Sequence, residues 1–169
     1  MVIRMDMKKD MNIMGIIGII GAIILVVGVF LTWGTLDLGF LGEEKLTGMD
    51  FFNKADGVLE DTKYTFVTLV ALICGIISLV LMIVPTFMNT EKFQTINNIL
   101  GIVALVLAAV VIIFGILFAT QSFEYLNVSH KFTYYYKLGI GYWLTLIGAI
   151  ITFVGGIMPI LKNKGIIKF

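Results

Sequence analysis

The chain has 169 residues, 59% apolar and 14% charged, with a mean hydropathy of +1.03 and a net charge of +1. A soluble domain is about half apolar and about a quarter charged, so this composition excludes an ordinary soluble fold and points to an integral membrane protein. The near-zero net charge, with no Gly-rich phosphate loop and no basic, aromatic-interleaved patch, argues against nucleic acid as a partner.

Residues 1–12 form a short charged tail. Ile13 to Thr32 is the first apolar run, closed by Trp33. It is longer than the ~7–15 residues of a signal-peptide core, and LTWGTLD is a poor cleavage site, so we read a retained span over 13–33. Gly21 and Gly28 stand seven residues apart in it. Residues 34–63 form the first and longest polar loop. Leu36, Leu38 and Phe40 alternate with Thr35, Asp37 and Gly39, which is strand periodicity. Gly42-Glu43-Glu44 is a turn candidate, and Lys45 to Thr47 returns as a second strand. Asp50 is placed to cap a short amphipathic helix through FFNKADGVLED, with Phe51, Phe52, Val58 and Leu59 on one side.

The second span covers 64–85 and ends at Pro85; Gly75 lies in it. A short turn leads to the third span, 97–118, where Gly101, Ala108 and Gly115 again recur at seven. The second polar loop, 120–137, is rich in aromatic residues, including Tyr134, Tyr135 and Tyr136. The fourth span, 138–160, is LGIGYWLTLIGAIITFVGGIMPI, with Gly141, Gly148 and Gly155 in register. Lipid removes the hydrophobic reason for helices to associate, and small residues let backbones approach closely instead. A repeat of seven matches left-handed packing. The expected fold is therefore all-α: a left-handed bundle of four transmembrane helices in one domain, with a small outer β-hairpin and a short helix in its first loop.

Four spans put both termini on one side. The tails and the turn between spans two and three carry seven Lys/Arg, against five in loops 34–63 and 120–137. Lys and Arg concentrate on the cytoplasmic side, so both termini are expected there, in a multi-pass plasma-membrane protein. Asn127-Val128-Ser129 is a glycosylation sequon in a loop expected outside.

Every charged residue lies outside the four spans. Ion pathways and proton relays use ionisable groups at membrane depth, so this pattern weighs against a pump or coupled transporter. Hydroxyls within the spans, such as Thr68, Ser78, Thr145 and Thr152, are expected to bond to backbone carbonyls or neighbouring helices. The single histidine, His130, and single cysteine, Cys74, lack the partners of a metal site or catalytic triad. The acids of the first loop match no EF-hand spacing and are interspersed with lysines, as on a solvated face. No enzyme and no cofactor are expected. Trp33 and Tyr134 to Tyr136 sit at span ends, where aromatic rings serve as an interfacial belt or as a contact surface for a partner.

Four spans with cytoplasmic termini, a larger first outer loop opening at Trp33-Gly34, the alternating stretch to Thr47-Gly48, and the closing helix GIGYWLTLIGAIITFVGG resemble the claudin and peripheral-myelin-protein superfamily and its prokaryotic four-span relatives. The loop lacks the Gly-Leu-Trp and two-cysteine pattern of claudins, so a sheet here has no disulfide to rest on. The resemblance implies a non-enzymatic role in lateral assembly, adhesion or as an accessory subunit, with membrane lipids and itself or another membrane protein as partners. The competing readings are a channel or transporter with its pore between protomers, and a lipid-binding protein.

Overall fold

The computed structural model describes residues 13–37, 40, 42–53, 64–87, 94–125 and 128–163. It is mostly helical. The long helices are α1 (Ile13–Phe30), α3 (Val67–Phe87), α4 (Gln94–Thr120) and α6 (Ile140–Asn163). Three of them, α3, α4 and α6, contain stretches long and apolar enough to cross a membrane. The apolar stretch of α1, Gly15–Phe30, is shorter. Between the long helices lie β1 (Thr32–Asp37), β2 (Glu43–Thr47), α2 (Gly48–Asn53), β3 (Ser122–Tyr125), β4 (Val128–Lys131), α5 (Phe132–Tyr135) and β5 (Tyr136–Leu138).

The long helices pack in a ring. α1 lies against α6 and α3, and α4 lies against α6 and α3, while α3 and α6 barely touch across the middle. The α1–α6 pair is the most extensive. It is antiparallel: Gly28 meets Gly141 and Thr145, and Gly21 meets Gly148 and Thr152. Outward positions such as Ile76, Val80, Ile102, Val106, Ile147 and Ile150 on α3, α4 and α6 are exposed and apolar, as suits helices able to cross a membrane, and Ile23 and Val27 of α1 are exposed too.

The span edges differ from the sequence reading in ways that have local causes. The helix α1 stops at Phe30, and Trp33 belongs to β1 rather than to the end of a span. α3 runs through Pro85 to Phe87. Proline there removes one backbone bond, the one its N–H would give four residues back, and so near the helix end no long segment follows for it to misdirect. Thr86 also returns its hydroxyl to Met82 O at 2.7 Å. α6 starts at Ile140, because Leu138, the first residue of the expected span, joins Tyr136 and Lys137 of the preceding loop in β5.

Above one end of the helices sits a three-stranded sheet in the order β2-β1-β5. β1 pairs antiparallel with β2 (Leu36↔Glu44, Gly34↔Leu46) and with β5 (Leu36↔Tyr136, Gly34↔Leu138). The loops that follow α1 and α4 are thus joined by strand pairing between residues 100 to 104 positions apart. Gly42, just before β2, sits at φ +96°, a conformation that L side chains rarely adopt. The strand reading for Leu38 and Gly39, and the helix reading for 54–61, lie outside the described residues; Phe40 lies past β1, which ends at Asp37, and Glu43 and Glu44 belong to β2 rather than to a turn. Within α2, Phe51 is buried and Phe52 exposed, so the two do not share a side. Successive helical residues are ~100° apart, and one face of so short a helix takes only one of them. Asp50 caps through Thr47: its carboxylate accepts from the Thr47 amide and hydroxyl, each at 2.8 Å, and the Thr47 hydroxyl accepts from Asp50 N at 3.2 Å. This is a capping box one turn earlier than the expected cap. β3 and β4 form a separate two-stranded ribbon.

Candidate functional site

The feature that ties loops to helices is a closed aromatic cluster. Six elements contribute one ring each: Trp33 from β1, Phe51 from α2, Phe118 from α4, Phe132 from α5, Tyr136 from β5 and Tyr142 from α6. All six are buried. Phe118 is the hub, with ring centroids 5.3 Å from Trp33, 5.3 Å from Phe51 and 5.0 Å from Phe132, in edge-on geometries. Phe132 stacks on Tyr136 at 4.7 Å. Such pairs add about 0.5–1.5 kcal/mol each beyond the area they bury.

Local backbone chemistry places the rings. The register shift between Thr32 and Gly34 makes Trp33 an extra residue in β1, and a bulge of this kind re-aims a side chain. The indole turns inward and donates from Nε1 to Gly28 O at 3.0 Å, within the buried core. Gly48 packs against Val29 O and the indole, where a Cβ would collide with that carbonyl. Gly139 N donates to Trp33 O at 2.8 Å, which carries the α1–α6 pairing directly into the β1–β5 pairing. The Tyr142 hydroxyl donates to Gly115 O at 3.1 Å, linking α6 to α4. Gln121 ties its loop to the chain entering α3: its Oε1 accepts from Tyr64 N at 3.3 Å, and its carbonyl accepts from Phe132 N at 2.9 Å.

This arrangement corrects part of the expected contact surface. Trp33 is 1% exposed and Tyr136 4%, so both are interior rings of the cluster and offer nothing to a partner. Tyr134 is 79% exposed. Tyr135 lies in α5, and Asn127 lies outside the described residues. Burial, and secondarily the Glu44 carboxylate, pushes the Tyr136 phenol above its ordinary value of 10.0. The outward side of the sheet is polar: Lys45, Thr35 and Lys137 align across the three strands, and Lys45 and Lys137 are exposed. Phe40, near the turn between β1 and β2, is 98% exposed.

The glycines at seven-residue spacing lie at helix contacts. A Cβ on Gly21 would stand 2.5 Å from Thr152 N, and one on Gly28 2.7 Å from Thr145 N. One on Gly141 or Gly148 would likewise meet the α1 backbone. Gly75 faces Leu25 and Val26, and Gly115 faces Leu146. Gly101 meets the carbonyl of Gly156, the neighbour of Gly155. Gly155 and Ala108 are both buried. Gly156 was missed because it falls outside the seven-residue series; its signal is the Gly-Gly pair itself.

Several threonine hydroxyls inside the helices are turned onto nearby backbone carbonyls. Thr145 and Thr152 donate to Gly141 O and Gly148 O at 2.9 and 2.8 Å, and Thr68 donates to Thr65 O at 3.1 Å. Ser78 Oγ and Gln121 Nε2 are buried without a hydrogen-bond partner among the described residues. Among the described residues no three His, Cys, Asp or Glu side chains gather as metal ligands would. Chemically, the arrangement presents a sheet and short helices packed on one end of the long helices, whose inward threonine hydroxyls are bonded to backbone carbonyls. No protein-family model, curated protein or solved structure matches the chain.

Proposed function

We propose that this chain is a four-span plasma-membrane protein with cytoplasmic termini, and that it works without catalysis, in lateral assembly, adhesion or as an accessory subunit of a membrane complex. One observation carries the reading: both outer loops are knitted into one sheet, locked onto the helices by a six-ring cluster. A loop that only connects spans has no need of such a core. A folded platform with a polar outer side and an exposed Tyr134 suits a protein that presents a surface to others.

Further observations support the parts. α1 has 18 residues, about 27 Å of helix, and it follows α6 from Gly28 to Gly21, which suits a fourth span beside the three longer helices. The seven-residue spacing supports left-handed packing. The lysine and arginine distribution supports cytoplasmic termini. The likeness to claudin-type proteins is one of layout: strand pairing and aromatic packing take the place of the disulfide. The threonine hydroxyls bonded within their own helices weigh against a polar path for solutes.

The test is crosslinking in native membranes, followed by mild extraction and mass measurement of the intact assembly. A discrete homo-oligomer or a fixed partner, weakened by Tyr134→Ser, is the expected result. A lone chain in both measurements overturns the proposal. Conductance or uptake by proteoliposomes above empty controls would replace it with the channel reading.

A further inference from the structure

We draw no further inference here: the strongest candidate, the exposed apolar ridge of α6 running from Ile140 through Trp143, Ile147 and Ile150 to Val154, is an unpartnered helix face, and nothing in the structure shows what covers it.

Discussion

Replacing Gly148 with alanine tests the α1–α6 contact directly. The added methyl would fall against Leu25 N, with Gly21 O at 2.7 Å and Leu25 Cα at 2.8 Å. All three are backbone atoms, so no side chain can rotate away. Ordinary contact begins at 3.4 Å, and the closest of the three, Leu25 N, requires α1 and α6 to part by about 1 Å, a gap that forfeits roughly half of each contact's attraction. Overpacking of this kind costs about 1–3 kcal/mol, and the largest helix pair in the molecule belongs at the upper end. Alanine returns about 0.5–1 kcal/mol through its lower backbone entropy cost. The net expectation is a loss of about 1–2 kcal/mol, roughly a five- to thirtyfold fall in the folded-to-unfolded ratio. Gly101→Ala is the internal control. Its methyl would meet only Gly156 O, at 3.2 Å, which a small shift relieves, so its effect should be near zero. Both variants should be unfolded in mixed micelles by a rising fraction of denaturing detergent, with helicity as the signal. If Gly148→Ala proves as stable as Gly101→Ala, the close backbone approach is not what holds α1 to α6, and the reasoning fails.

Three further changes probe the aromatic cluster. Tyr142→Phe keeps the ring and removes its bond to Gly115 O, so the same assay should show a loss of about 0.5–1.5 kcal/mol; an unchanged midpoint would mean the bond contributes nothing. Phe51→Ala opens a cavity beneath the sheet, and a loss of about 3–5 kcal/mol is expected. Amide exchange should rise in β1, β2 and β5 before it rises in α3 or α4; uniform exchange would contradict a separately held cap. Tyr136 carries a pH signature. Its folded pKa lies above 10.0, so its contribution to stability is fully present below pH 10.0 and is lost as pH rises through the folded value. Tyr136→Phe should flatten the alkaline decline in thermal stability. An identical decline in both proteins would place its cause elsewhere.

The chain's own pattern determined a great deal. Apolar runs free of charge specify where helices form, because a helix is a structure whose backbone bonds are all satisfied within the segment. α3, α4 and α6 follow from this, to within a few residues at their ends. Alternation over Thr35–Asp37 marks the second half of β1, and Lys45–Thr47 the end of β2, since such signals are local; Thr32 and Trp33 read instead as the end of a span, and Glu43-Glu44 as a turn. What only the tertiary structure decided is what meets what. β5 pairs with β1 across 100 to 104 positions of sequence, and three residues, Tyr-Lys-Leu, carry no period that announces a strand. An aromatic at a span end looks the same whether it anchors in lipid headgroups or fills a core. Trp33 and Tyr136 became core because a one-residue bulge, Phe51 of α2 and the end of α4 close over them. Likewise the α6 backbone reaches α4 at Gly156, and which glycine lies at a crossing is set by helix rotation and path, which only packed neighbours determine.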